Sequence, residues 1–195
     1  MGYSIDSITA DCYEGTSCLI NKLGINDDKK LKEFEAAITF AKASELEKDP
    51  LSDSFDVEHY KAIHRFLFED IYEWAGKYRK INMSKKGTNF ADAQRIPELM
   101  DACFKRLKDN DFFANNSFDE FVENIVDFYQ TTNMIHPFRE GNGRTQRLFI
   151  TQLIRHNGYE INFSDMDSDE LMIATIQAAN GIKDNLIRIF SEIIK

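Results

Sequence analysis

Along most of the chain apolar residues recur every three or four positions, and the stripes they draw predict helices. Leu31, Phe34, Ile38, Ala41 and Leu46 mark one over 27–48, with lysines and glutamates on its other side. Val57, Tyr60, Ile63, Leu67 and Ile71 mark a second that starts at Asp56 and leaves at Gly76. Leu99, Met100, Phe104 and Leu107 mark a third that opens at Pro97. Two longer stripes flank residues 136–143. One, capped by Ser117, carries Phe121, Val122, Ile125, Val126 and Tyr129 from Phe118 to Ile135. The other carries Leu148, Phe149, Leu153 and Ile154 from Arg144 to about His156, where Asn157-Gly158 stops it. This pair is expected to form a buried central hairpin. A helix from Asp167 or Ser168 through Ala179 and a closing one with Leu186, Ile187, Phe190 and Ile194 complete the series. Leu19, Ile20 and Leu23 predict a short helix ending at Gly24, behind an irregular N-terminal arm.

The period changes only once. Ile81 and Met83 alternate, Lys86-Gly87 reads as a turn, and Phe90 follows, so residues 81–90 predict a short β-hairpin. The fold class is therefore all-α, a helical bundle with one β-hairpin whose edge could accept an extended peptide. No repeat, low-complexity run or long linker divides the 195 residues. A single domain over 1–195 is expected, with an N-terminal arm and helices to residue 55 and the core over 56–195.

Charge and composition narrow the partners. A formal net charge of −9 argues against general binding to nucleic acid or to an anionic membrane. Any anion site must then be a local positive pocket in an acidic body. Cys12, Cys18 and Cys103 make an odd count without metal-type spacing, and read as reduced thiols. With neither a signal-peptide pattern nor an apolar run of membrane length, a cytoplasmic protein is expected.

The candidate chemistry lies between the two central helices, in His136-Pro137-Phe138-Arg139-Glu140-Gly141-Asn142-Gly143-Arg144-Thr145-Gln146-Arg147. Pro137 disfavours helix at His136, so the first helix should end there. Gly141 and Gly143 are expected to take positive φ and turn successive N–H groups into an anion nest. The next helix aims its positive end at the same place. Arg144 and Arg147, three apart, share a face and suit bidentate contact with phosphate. Glu140 is anomalous beside an anion unless a cation, most simply Mg²⁺, bridges it to the phosphates. His136, neutral near pH 7, can take a proton from an attacking hydroxyl. A glycine-rich helix cap with solvated arginines is the simpler alternative, but it leaves the histidine and the carboxylate unexplained.

The segment matches every defining position of His-x-Phe-x-(Asp/Glu)-Gly-Asn-Gly-Arg-x-x-Arg and thereby resembles the Fic-domain family. The run Tyr72-Glu73-Trp74-Ala75-Gly76 resembles another family feature, Tyr-x-Trp-Ala-Gly. The resemblance implies the Fic fold and transfer of AMP from ATP, with Mg²⁺, to a Ser, Thr or Tyr hydroxyl of a target protein. It implies His136 as general base, Glu140 as the Mg²⁺ ligand, and Gly141, Asn142 and Gly143 around the α-phosphate. Arg144 would lie on the inner phosphates and Arg147 on the γ-phosphate, with Phe138 a buried anchor. Asn180 matches the family asparagine on the adenine side, though a helix C-cap reads equally well. The hairpin, with Ser84, Lys85, Lys86, Gly87 and Thr88 at its tip, would be the flap that docks the target. Lys86 stands where many relatives carry a second glycine.

Many relatives are restrained by a Ser/Thr-x-x-x-Glu-Gly/Asn helix whose glutamate pairs the second motif arginine. The only Ser-x-x-x-Glu here, Ser54 to Glu58, reads as a helix cap. The resemblance then implies inhibition in trans by a small antitoxin whose glutamate engages Arg147. The targets of such relatives are gyrase and topoisomerase IV or, for delivered effectors, small GTPases. Two alternatives stay open. A Fic-fold kinase would use the γ-phosphate, but it carries lysine where this chain has Gly143. A silent nucleotide-binding module would be expected to lack the histidine.

Overall fold

A computed structural model describes residues 4–5, 11–85 and 87–195. Seven α-helices dominate the described residues: α1 Asp28–Lys48, α2 Val57–Phe68, α3 Ile96–Asp109, α4 Phe118–Ile135, α5 Asn142–His156, α6 Ser168–Ala179 and α7 Asp184–Ile193. Local chemistry sets their starts. Asp27 accepts from the Lys30 N–H at 2.8 Å, and Asp56 accepts from the His59 N–H at 2.8 Å. Glu120 reaches back to the Ser117 N–H at 2.9 Å, closing a capping box on α4.

The α4–α5 pair forms the centre, with α2 and α1 packed on α5, and α3 and α7 packed on α4. Phe149 on α5 is fully buried, and its ring meets Tyr60, Phe104 and Phe128 from three other helices. Each such side chain contributes roughly 2 kcal/mol of burial, and the loop between α4 and α5 rises from this packed centre.

The hairpin is present as β2 Met83–Lys85 and β3 Thr88–Asn89, with Ser84 opposite Asn89 and Lys85 opposite Thr88. The sheet has a third strand that the alternation did not reveal. β1 Ser4–Ile5 runs antiparallel to β2, pairing Ser4 with Ser84 and Ile5 with Met83. The edge of β2 is thus taken from within the chain, and β3 supplies the open edge. Two residues are too short to show a period. Lys86, expected at the tip, lies outside the described residues.

Three other expectations are corrected. Residues 11–24 form no helix: they turn back on themselves through a Cys12–Leu19 bridge, and the Asn21 side chain binds the backbone of Leu19 and Ile25. The second helix ends at Phe68 instead of running past Ile71, where the Ile71 N–H closes on the Phe68 carbonyl three residues back and tightens the chain into a turn. On α1 the inward face is rotated. Phe34 and Ala41 are exposed, whereas Glu35 and Thr39 are buried. No helix among the described residues is long and apolar enough to cross a membrane.

Candidate active site

The α4–α5 loop is held by its own polar atoms. His136 ends α4 in the left-handed region, with φ 49° and ψ 61°, and its N–H still bonds the Thr132 carbonyl at 3.0 Å. Asn142 closes the loop. Its Oδ1 accepts from the Phe138 N–H at 2.8 Å, and its Nδ2 donates to the Phe138 carbonyl at 2.7 Å. Gly141 caps α5 with φ 79°, and a Cβ there would sit 2.2 Å from the Phe68 ring. Only glycine satisfies both conditions. Gly143, by contrast, lies in the first turn of α5 without a positive φ, and an added Cβ would meet the Arg147 guanidinium at 3.3 Å. The expected two-glycine nest is therefore one left-handed glycine followed by helix-terminal N–H groups, which have no acceptor within the helix.

Beneath the loop, Phe138 is fully buried and stacked on His64, with ring centroids 3.7 Å apart. The Gly76 N–H donates to His64 Nδ1 at 2.8 Å, so the ring proton sits on Nε2 and is donated to the Glu140 carbonyl at 3.0 Å. Burial holds this imidazole neutral, down to about 3. This imidazole props the loop from below. Arg139, also buried, pairs with Asp11 at 2.6 Å and ties the N-terminal arm to the same loop.

Charges of both signs meet at the start of α5. Arg144 donates to Glu35 at 2.5 Å and to Thr39 at 3.1 Å, lies 3.4 Å from Glu140, and rests over the Phe68 ring. The Tyr72 hydroxyl donates to the other oxygen of Glu35 at 2.5 Å. Glu140 accepts from the Gly141 N–H at 2.8 Å. Arg147, one turn along, has no carboxylate within ion-pair distance among the described residues. It lines two adjoining clefts. One, about 290 Å³, is bounded by His136, Gly143, Tyr129, Ile176 and the hairpin residues Lys85 and Thr88. The other, about 700 Å³, runs between α1, α5 and the C-terminal segment past Arg144.

The His136 ring faces the smaller cleft, with the Phe90 ring stacked flat against it at 3.8 Å. Its Nδ1 lies 3.3 Å from the Asn133 carbonyl, an atom that can only accept. Nδ1 therefore carries the hydrogen, and Nε2 is the basic nitrogen. Burial lowers the ring to about 3, with Lys85 and Arg79 adding to the effect, so it is neutral without any preparatory deprotonation.

Residues 54–154 match the model of the Fic/DOC family. The chain belongs to the Fic/DOC family. It is 37% identical over 171 residues to the probable protein adenylyltransferase y4lH of Sinorhizobium fredii, covering 87% of this chain and 88% of that protein. It is 36% identical over 169 residues to the protein adenylyltransferase VbhT of Bartonella schoenbuchensis, covering 87% of this chain. That match spans about a third of the relative, 35% of its length. The fold superposes with a TM-score of 0.90 on the N-terminal Fic domain of a VirB-translocated Bep effector from Bartonella quintana with bound ADP. There the identity is 29%, with 95% of this chain and 94% of that one covered.

Within this Fic domain, His136, Gly143 and Arg147 line one cleft, while Glu140 stands by Gly141 and by Arg144, which lines the adjoining cleft with Arg147. Two expected contributors are turned elsewhere. The Asn142 side chain bonds the Phe138 backbone through both Oδ1 and Nδ2, so its main role is to close the loop. Asn180 is the C-cap of α6, and its Nδ2 bonds the Ile176 carbonyl at 2.8 Å; the neighbouring Ala179 lines the cleft. Ser84, Lys85, Gly87 and Thr88 lie on the hairpin as expected, but only Lys85 and Thr88 border the cleft. Sequence reasoning missed Glu35, Thr39, Tyr72 and Phe90. A trace existed for Glu35, which sits one turn after Leu31 on the buried stripe of α1, where an apolar residue was due.

Proposed function

We propose that this chain is a protein adenylyltransferase that moves AMP from ATP to a Ser, Thr or Tyr hydroxyl. The observation that carries the reading is that His136, the N-terminal end of α5 and Arg147 face one cleft beneath the hairpin. In the proposed reaction the hydroxyl oxygen attacks the α-phosphorus while its proton passes to His136 Nε2. The bond from that phosphorus to the β-phosphate bridging oxygen breaks, and pyrophosphate leaves. The α5 N–H groups hold the phosphate that gains charge, with Arg144 on the inner phosphates and Arg147 on the γ-phosphate.

The residues present fit Mg²⁺ brought in on the nucleotide. No group of three or more acidic, His or Cys side chains that could hold a metal by itself occurs among the described residues. A single partly exposed carboxylate, Glu140, stands beside the arginines. Mg²⁺ is suited by one carboxylate plus phosphate oxygens and water, and when bound it would neutralise phosphate charge. The adenine side would occupy the cleft toward Ile176 and Ala179.

The hairpin is proposed to hold the target as an added strand. The target would use the outer edge of β3 or displace β1 from β2. For regulation, an antitoxin-type helical partner is proposed whose glutamate pairs Arg147. Its support is the larger cleft, which runs from Arg147 over apolar residues that include the 76%-exposed Phe40. Bacterial topoisomerases (gyrase and topoisomerase IV) are the first targets to test, followed by small GTPases.

The test is incubation of the purified chain with α- or γ-labelled ATP and purified gyrase, topoisomerase IV or a lysate. Protein labelled from the α-position only, and lost in His136→Ala with ATP binding retained, is the expected result. Label from the γ-position alone would replace the reading with a kinase, and no label from either with a binding module. Arg147→Ala should weaken ATP binding at least tenfold. An unaltered affinity removes the γ-phosphate contact.

A further inference from the structure

Arg79 closes the Tyr72–Arg79 corner that the proposed reaction leaves unused. Its side chain is buried, yet no carboxylate lies within ion-pair distance among the described residues. Backbone carbonyls take that place. Nε donates to the His136 carbonyl at 2.7 Å, Nη1 to Ile81 at 2.5 Å, and Nη2 to Ala91 at 2.5 Å and Ile135 at 3.2 Å. The Arg79 backbone N–H adds a bond to the Pro137 carbonyl at 2.9 Å.

These carbonyls come from two parts of the chain. Ile135 and His136 are the last carbonyls of α4, the negative end of a helix that has no N–H left to meet them. Ile81 and Ala91 are the two ends of the hairpin, just before β2 and just after β3. Two further contacts tie the same parts together. The Ala91 N–H bonds the Met134 carbonyl at 3.0 Å, and Phe90 stacks on the His136 ring.

We propose that Arg79 is a positioning residue that fixes the hairpin and the His136 backbone in one register, so that a docked hydroxyl meets the imidazole. The proposal rests on the adenylyl-transfer reading above. Only a planar fork with several donors can satisfy carbonyls arriving from such different directions; an ammonium is a point charge. None of these bonds involves Gly141, Gly143, Arg144 or Arg147. Nucleotide binding and transfer to a target should therefore come apart when the fork is removed.

The test compares Arg79→Lys and Arg79→Ala with the parent chain. ATP affinity, the initial rate of labelling of lysate proteins from α-labelled ATP at saturating nucleotide, and amide hydrogen exchange are measured. ATP affinity should stay within about twofold, while transfer falls on the order of a hundredfold for Ala and at least tenfold for Lys. Exchange should quicken over 81–91 and 134–136 and stay unchanged over 144–154. Three results overturn the proposal: transfer retained despite quicker exchange, affinity and transfer lost together with quicker exchange throughout α5, or failure of even the lysine variant to fold. A parent chain that transfers no label would sink the transferase reading instead. The exchange comparison would then still decide whether the guanidinium couples hairpin and loop.

Discussion

Glu35 and Arg144 stand 109 positions apart in sequence, yet their side chains meet at 2.5 Å in an ion pair that Tyr72 completes. The carboxylate is 5% exposed, so it was taken from water to face this guanidinium. Its negative charge offsets part of the positive charge of Arg144 and Arg147, where the proposed reaction would place a triphosphate. Glu35→Gln keeps the shape and one accepting oxygen for Arg144, removes that charge, and puts a donating NH2 opposite the Tyr72 hydroxyl, which must then accept. ATP should then bind more tightly by about 1 kcal/mol, roughly fivefold in Kd, with the gain shrinking as salt is raised. Titration calorimetry at two salt concentrations checks it. Weaker binding would mean that orientation of Arg144 outweighs its neutralisation.

Gly141 faces Phe68 with no room for a methyl group. Gly141→Ala should cost about 2–4 kcal/mol, part from the left-handed backbone and part from overpacking. In a Phe68→Leu background the steric part should vanish, leaving roughly 1 kcal/mol. Urea unfolding of the four proteins measures both. Equal penalties in the two backgrounds would show that the ring is not the obstacle.

Two of the three buried imidazoles make the fold strongly acid-sensitive, and burial lowers the third, His59, as well. His64 and His136 are both held at about 3, below the ordinary 6.5. Above pH 6.5 each ring is neutral folded or unfolded, so stability is fully present there. As pH falls below 6.5 the unfolded chain takes up protons that the folded chain refuses, and stability drains away until about pH 3. Between pH 7.5 and 5.0 each ring should remove about 2 kcal/mol. His136→Ala should halve the contribution of the pair. The readout is unfolding free energy across that range; identical pH slopes for parent and variant would mean that His136 protonates freely when folded.

β1 occupies the β2 edge that an incoming strand would use. Deleting residues 1–5 should lower KM for the protein target while leaving kcat and ATP affinity unchanged. Steady-state labelling of a purified target decides the matter. An unchanged KM would assign docking to β3 alone.

Much of the architecture was legible because it is local. The stripe of α4 and its Ser117–Glu120 cap define that helix to the residue, and Pro137 ends it as expected. Residues 136–147 pointed to an anion site because histidine, carboxylate, glycines and arginines are dense within twelve positions. What the sequence could not disclose is which distant groups these side chains meet. On α1, propensity and charge suggested that Glu35 faces water. Packing against α5 rotated the helix so that Glu35 meets Arg144 and Tyr72 instead. Asn142 offered an amide that could have met a ligand, and only the closed loop spends it on Phe138. Arg79 gave no sign of a role, because the two hairpin ends and the helix terminus that converge on it lie far along the chain. Periodicity, capping and turn chemistry act over a few residues, so the chain carries them openly. Partners separated by tens of residues are chosen only when the core packs, because only then are buried charges and carbonyls stripped of water and compelled to find one another.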